Sequence, residues 1–191
     1  MILNSPQGEN VTSLNLIFIN NAMQEPIINK VKANTKLVTI DLAKHFYDDT
    51  PIAELDIKQF LHMELLLKEK DFRQHLKDFD WSQFEGKYLS VFCSSDAIIA
   101  PWAWMLVTTY AQNVAKEVFH LSAKEVTHEL YRRRVEEFDW TAYQDKFVHL
   151  KGCGDIHVPD SIYLLATNKL MNVSRKIMYG EACSFVPVWK K

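Results

Sequence analysis

Cysteine is scarce in this sequence, with three among 191 residues: Cys93, Cys153 and Cys183. An odd number of thiols cannot all pair within one chain, and a chain of this length can bury a core without covalent crosslinks. We therefore expect reduced thiols rather than a disulfide framework. Reduced thiols are typical of a cytoplasmic protein, which is the location that the sequence predicts.

Long apolar runs are also missing. The early apolar run, Leu14 to Ile19, is shorter than the core of a signal peptide and much shorter than a membrane-spanning helix. Residues 1–22 are rich in Asn and Ser and have no clear hydrophobic period. We expect them to be a disordered leader or the result of a misassigned start, with Met23 as the alternative start.

Charge of either sign is not in excess, because 22 Lys and Arg against 24 Asp and Glu give a net charge of -2. This excludes a general attraction to nucleic acid or to anionic lipid, which requires a basic patch. The basic run Arg132-Arg133-Arg134 is surrounded by glutamates and predicts a solvated helix face. We expect no nucleic-acid partner and no membrane partner; a small ligand, a protein partner and a homo-oligomer stay open.

Motifs with a known mechanism are absent as well. The chain has no Walker loop, no Gly-x-Gly-x-x-Gly fingerprint and no Cys-x-x-Cys pair. The sequence therefore leaves open whether the protein is an enzyme.

What the sequence does contain is a repeat. Phe79-Asp80-Trp81 recurs as Phe138-Asp139-Trp140, at an offset of 59 residues. The same offset, held without a gap, pairs further identical residues in the two halves: Lys87 with Lys146, Asp96 with Asp155, Leu106 with Leu165, Thr108 with Thr167, and Asn113-Val114 with Asn172-Val173. This sustained register predicts an internal duplication of residues 71–121 as residues 130–180.

Each copy follows one plan. A helix ends at Phe-Asp-Trp, and a strand follows at Lys87 to Phe92 and at Phe147 to Lys151. A helix comes next (Pro101 to Val114, Asp160 to Val173), and then a short strand (Glu117 to Leu121, Lys176 to Tyr179). Strand–helix–strand units predict parallel pairing, hence an α/β fold with a mostly parallel sheet and helices on both faces.

We expect one α/β domain over residues 23–191. The helix Ala123 to Glu137 joins the two units, and Leu37 to Leu42 and Phe185 to Trp189 add flanking strands. After the first of these strands, the segment Ile52 to Leu67 predicts a further strand and then a helix that starts after Asp56. Pro187 suits a strand at the edge of the sheet.

Ligands of open parallel sheets bind at the edge where the strands reach their carboxyl ends. Cys93 and Cys153 lie in equivalent loops that follow strands, and Gly180 to Ser184, with Cys183, follows the strand Lys176 to Tyr179. The repeat therefore predicts that all three thiols lie on one edge. The same edge is expected to carry the following ionisable residues: Asp96, Asp155, Glu181 and His120.

Three segments of the chain resemble those of a known family. They are Trp81 to Phe84 with Gly86 to Tyr88, Lys151 to Asp155, and Tyr179 to Pro187. Over roughly residues 25–191 the chain is similar to the bacterial family catalogued as domain of unknown function 2480. The resemblance implies that Cys93, Cys153 and Cys183 stand at the cysteine positions of the family, and it implies no activity.

The first hypothesis for this edge is a transition-metal site. Thiolates of Cys93, Cys153 and Cys183 would bind zinc or iron, including an iron–sulfur cluster, and Asp155 or Glu181 would complete the shell. Glycines on both sides of Cys153 would allow the backbone to approach the metal closely.

Two other hypotheses use the same edge. Cys153 precedes a helix whose N-terminal dipole favours the thiolate, so that Cys153 and Cys183 could form a redox pair or act as nucleophiles. Against this, the nearby charge of Asp155 favours the thiol. The last hypothesis is a non-catalytic module that binds a small ligand or a protein, with Ser94-Ser95 and Gly152 to Gly154 as loops before helix N-termini.

Overall fold

The computed structural model describes residues 36–152, 154–181 and 183–191. Residues 1–22 and Cys153, on which two of the predictions above fall, lie outside these described residues. The strands of the described part are β1 (Leu37–Asp41), β2 (Ile52–Asp56), β3 (Tyr88–Phe92), β4 (Glu117–Phe119), β5 (Phe147–Lys151), β6 (Lys176–Glu181) and β7 (Ser184–Lys190). Its α-helices are α1 (Leu42–Phe46), α2 (Glu69–Asp78), α3 (Pro101–Ala111), α4 (Ala123–Glu137) and α5 (Asp160–Met171).

The described strands form two sheets. Sheet A has the order β1-β5-β6-β7, and sheet B has the order β2-β3-β4. All neighbours pair in parallel except β6 and β7. The predicted α/β class and the mostly parallel pairing are therefore confirmed. The expectation of one sheet joining both units differs from the structure, since each unit builds its own.

Helix α4 explains why the sheets are separate. Its side chains Val126 and Leu130 pack with Tyr88 and Phe119 of sheet B. Tyr131 and Val135 of the same helix belong instead to the core on sheet A. A helix with two apolar sides must pack each side against an apolar surface of another element. Helix α4 is thus a layer shared by the two units.

Sheet B has helices on both faces. Leu89 and Val91 of β3 join the core that also contains Phe72 of α2 and Val107 of α3. Helix α4 covers the opposite face. In sheet A, Val148 and Leu150 of β5 face the core that contains residues of α1, α4 and α5.

Local signals account for the helix boundaries. Helix α3 begins at Pro101, whose fixed φ suits the first helical position. Helix α4 begins after Ser122, which forms a capping box with Glu125. After β2 the backbone makes a 3₁₀ turn (Ile57–Phe60), so this short turn stands where the sequence predicted a helix starting after Asp56.

The geometry of the two units recurs at the offset of 59 residues. Strands β3 and β5, and likewise helices α3 and α5, begin 59 positions apart. The indole Nε1 of Trp81 donates to the carbonyl of Leu76 at 2.9 Å, and Trp140 donates to that of Val135 at 2.9 Å. These tryptophans close the end of α2 and of α4. That the repeat arose by duplication stays a prediction.

The two units meet at Asp48, whose side chain is 5% exposed. Its carboxylate accepts hydrogen bonds from the Tyr88 hydroxyl at 2.8 Å and from the Thr50 N–H at 3.0 Å, and pairs with the guanidinium of Arg134. The arginine run was predicted to be a solvated helix face. Arg132 (40% exposed) and Arg133 (39% exposed) pair with Glu129 on such a face, whereas Arg134 links α4 to Asp48, because α4 lies between the sheets.

No helix in the described part of the chain is both long and apolar enough to cross a membrane.

Candidate functional site

The carboxyl ends of the parallel strands define two edges. Edge A consists of the ends of β1, β5 and β6 with the segments that follow them, and edge B consists of the corresponding ends of β2, β3 and β4. The register of β5 with β6 pairs Leu150 with Tyr179. The loop after β5 and the turn after β6 therefore start from neighbouring strands, about 4.8 Å apart.

Edge A is centred on Lys151, the last residue of β5. Its Nζ lies 2.6 Å from Oε1 of Glu181 and 3.7 Å from Oδ2 of Asp41. The Asp41 side chain is 8% exposed and also accepts a hydrogen bond from the Lys44 N–H at 3.3 Å, which caps α1. Glu181, which the sequence nominated as a metal ligand, is thus ion-paired across the edge.

Gly152 is held under helix α5. A Cβ atom built on Gly152 would lie 2.2 Å from the hydroxyl oxygen of Tyr163 and 3.0 Å from a methyl group of Val158. The Tyr163 ring in turn makes an edge contact with the ring of Tyr179, at 5.8 Å between centroids. Only glycine fits this close approach, so the local packing already accounts for the glycine before Cys153.

Cys183 lies between β6 and β7 and is exposed. The hairpin begins at Gly180, whose φ of +106° and whose 2.8 Å approach of a Cβ position to the Ser184 carbonyl both require glycine. Cys183 follows the carboxyl end of β6, as the repeat predicted. Asp155 is exposed in the loop after β5. Cys153, the remaining nominee of this edge, is outside the described residues.

Cys93 belongs to edge B. Its Sγ lies 3.3 Å from the Ser95 hydroxyl, and the Ser94 N–H donates to Asp56 at 3.1 Å. Because β3 is in sheet B and β5 and β6 are in sheet A, the shared edge expected for all three cysteines is not formed. The prediction treated the two units as halves of one sheet, and α4 keeps those halves apart.

His120 also belongs to edge B. Its Nδ1 lies 2.8 Å from the carbonyl oxygen of Val91, and its ring lies 4.2 Å from the Trp104 ring between centroids. The imidazole is thus oriented by its own sheet and by α3. Asp96 is exposed in the loop after β3.

Within residues 36–152, 154–181 and 183–191, no group of three or more His, Cys, Asp or Glu side chains is arranged to hold a metal ion. Cys153 is not among the residues to which that finding applies.

Two buried polar residues near edge A were missed in the sequence. His149 of β5 is 2% exposed, and its Nδ1 has no hydrogen-bond partner among the described residues. Burial lowers the pKa of His149, although a hydrogen bond with the Gly180 backbone opposes the shift. Tyr131 of α4 has a buried hydroxyl that likewise has no partner in the described part, and burial raises its pKa to about 12.

Lys151 was missed for a different reason. Its role depends on the pairing of β5 with β6, which brings the end of β6, with Glu181, close to Lys151, and no local sequence pattern encodes that pairing. For His149 the only sequence signal is its place in the alternation of β5, where it occupies a position that could be buried.

A comparison with protein-family models agrees with the family resemblance described under Sequence analysis. A family described as a protein of unknown function, DUF2480, matches residues 25–191. The chain belongs to this family. The DUF2480 match spans every strand and helix described above, so both edges are part of the family region. No curated protein and no solved structure matches the chain.

Proposed function

We propose that the protein binds a transition metal, zinc or iron, at edge A. The thiolates of Cys153 and Cys183 are the principal ligands in this proposal, and Asp155 or Glu181 completes the shell. The observation that supports it is the pairing of β5 with β6, from which the two cysteine-bearing connections leave side by side.

The contact between Lys151 and Glu181 indicates how close the ends of β5 and β6 lie to each other. Side chains from the ends of the two strands meet at 2.6 Å. The cysteines lie two residues after each of these positions, so the loops need no large excursion to approach one another. Cys93 is left out of the proposed ligand set because it follows a strand of sheet B.

Lys151 also bears on the state of the thiols. An ammonium group nearby favours the thiolate, and the thiolate is the form that binds metal. Coordination of a metal by Glu181 would weaken its ion pair with Lys151. Between the two carboxylates, Asp155, which is exposed, is therefore the better candidate for the third ligand.

The second candidate function is thiol redox chemistry with Cys153 and Cys183. The exposure of Cys183 and the ammonium group of Lys151 on the same edge favour it, since an accessible thiolate attacks a disulfide readily. In this reaction the two thiols become one disulfide, and the two electrons and two protons pass to a substrate disulfide, which leaves as two thiols.

Metal analysis of anaerobically purified protein tests the first proposal. Elemental analysis and a visible spectrum are recorded for the wild type, Cys153→Ser, Cys183→Ser and, as the matched control, Cys93→Ser. We expect stoichiometric metal in the wild type and in Cys93→Ser, and a large loss of bound metal in the other two variants, because each lacks a thiolate ligand.

Two results would contradict the metal proposal. One is full metal content in Cys153→Ser. The other is a metal-free wild type under these conditions. In the second case, formation of a Cys153–Cys183 disulfide with a small disulfide oxidant, identified by mass spectrometry, would favour the redox function instead.

A further inference from the structure

An apolar groove runs beside helix α5. This helix packs on β5 and β6, whereas β7 extends sheet A beyond it. The space that the described residues leave beside α5 has a volume of about 700 Å³. The apolar side chains that form it come from α5 and from the strands: Tyr163, Leu164, Met171, Ile177, Tyr179 and Val188.

The walls of this groove are unusually exposed for apolar side chains. Leu164 is 70% exposed, Val188 52%, Tyr179 45% and Met171 42%. A contiguous apolar surface of this kind on a water-facing region marks a place where something binds. Among the groove's lining residues, Asp160 at the start of α5 is the one charged side chain, so the surface offers little to a highly charged ligand.

One end of the groove lies at edge A. Tyr163, which lines the groove, holds Gly152 under its hydroxyl, and Tyr179 is in β6 two residues before Glu181. From there the groove follows α5 towards Met171. The helix has 12 residues, so the groove can accept a molecule of roughly 18 Å.

We infer that this groove binds one elongated apolar molecule of the acyl-chain class, with its polar end towards edge A. The volume falls in the range of small-molecule sites, which are concave, mostly apolar and equipped with a few polar groups. Here the polar groups are Asp160 at the start of α5 and Thr167 and Asn168 in its C-terminal half. The placement of the polar end beside the thiols rests on the proposed function, while binding of the chain does not.

The shape of the site favours a small molecule over a second copy of this protein. In a two-fold contact the same patch must fit itself, so a concave patch would face another concave patch and leave both unfilled. A chain-like ligand fills the concavity from within and covers the side chains on both walls.

Titration with a dansyl-labelled fatty acid tests the inference, with fluorescence as the readout. Leu164→Asp places a carboxylate in the groove. Met105→Asp is the matched control, because Met105 has the same position in α3, 59 residues earlier, and is 68% exposed. We expect saturable binding of one probe per chain in the wild type and in Met105→Asp, and binding weakened by about tenfold or more in Leu164→Asp.

The same titration separates this inference from the proposed function. Leu164→Asp should keep the metal content of the wild type, even where its binding of the probe is lost. Non-saturable binding, or equal weakening by the two aspartate variants, would overturn the inference. So would sedimentation velocity that shows Leu164→Asp dissociating an oligomer while the probe fails to bind, since a second copy would then be the occupant.

Discussion

Edges A and B share a backbone plan and differ in the side chains that complete it. At several positions related by the 59-residue offset, the two edges and the helices beside them have different side chains. The pairs, with the sheet B residue first, are Phe72 and Tyr131, Ser90 and His149, Phe92 and Lys151, Cys93 and Gly152, Ser94 and Cys153, Trp104 and Tyr163, and His120 and Tyr179.

The difference is clearest at two equivalent aspartates. Asp56 pairs in register with Phe92, and Asp41 pairs in register with Lys151. At edge B, Asp56 is occupied by the N–H and the hydroxyl of Ser94. At edge A, Asp41 instead faces the ammonium group of Lys151. Asp56 is therefore bound by uncharged groups of Ser94, whereas edge A has an ion-paired lysine on the same edge as an exposed thiol, with a groove beside it, which is why the proposals above concern edge A.

The largest expected effect tests whether the two units are equivalent in stability. Trp81 and Trp140 are 9% and 7% exposed, and each donates one hydrogen bond at 2.9 Å to the helix before it. Trp81→Ala and Trp140→Ala should each lower the free energy of unfolding by about 3–5 kcal/mol, since each leaves a cavity and an unpaired carbonyl. Denaturant unfolding followed by circular dichroism measures both.

Met105→Ala, at an exposed position, is the control and should change the free energy of unfolding by less than about 0.5 kcal/mol. A large loss in only one of the tryptophan variants would break the equivalence of the two units.

A smaller effect is expected where the edges differ. Gly152→Ala would place a methyl group against the Tyr163 hydroxyl, 2.2 Å away. We expect it to lower the free energy of unfolding by about 1–3 kcal/mol, as overpacking does. At the equivalent position of edge B, Cys93→Ala should be nearly neutral, because a side chain is already accommodated there. Thermal unfolding of both variants measures the contrast.

Tyr163→Phe provides the check on the cause. If the hydroxyl is the obstacle, the double variant Gly152→Ala, Tyr163→Phe should recover part of the loss. A Gly152→Ala protein as stable as the wild type would show that helix α5 can shift away from residue 152 without loss of folding free energy.

Much of the fold was readable in the sequence because its signals are local. The bounds of β5 and of α4 agree with the prediction, since alternation and a capping serine act within a few residues. The separation into two sheets was not readable in this way. It depends on the two apolar sides of α4, with Val126 on one and Val135 on the other, which indicate two packing surfaces without stating which strands supply them.

The site was readable in part for the same reason. The repeat predicted that Cys183 follows the carboxyl end of β6, because the strand before it has a counterpart in the first unit. The ion pair of Lys151 with Glu181 joins residues 30 positions apart, and no local pattern encodes it. The groove beside α5 is bounded in part by Val188 of β7, an antiparallel strand that has no equivalent among the described strands of sheet B.

The smallest expected effect concerns His149, which stands where sheet B has Ser90. Ser90 is buried and satisfied by a hydrogen bond to the Leu121 carbonyl, while His149 is buried with its Nδ1 unpartnered among the described residues. Burial lowers the pKa of His149 below 6.5, and the charge of Lys176 acts in the same direction, against the opposing Gly180 backbone and Glu181. The folded protein thus disfavours the protonated imidazole.

The sign of the pH dependence follows from this shift. Between the lowered pKa and the value of 6.5 for the unfolded chain, only the unfolded chain takes up the proton. The free energy of unfolding should therefore fall as the pH drops below about 6.5, by up to about 1.4 kcal/mol per pH unit. His149→Gln should flatten this slope, whereas Met105→Ala, which removes no ionisable group, should leave it unchanged. Equal slopes in the wild type and in His149→Gln, measured by urea unfolding from about pH 7 to pH 5, would mean that the imidazole takes up a proton as readily in the folded protein as in the unfolded chain.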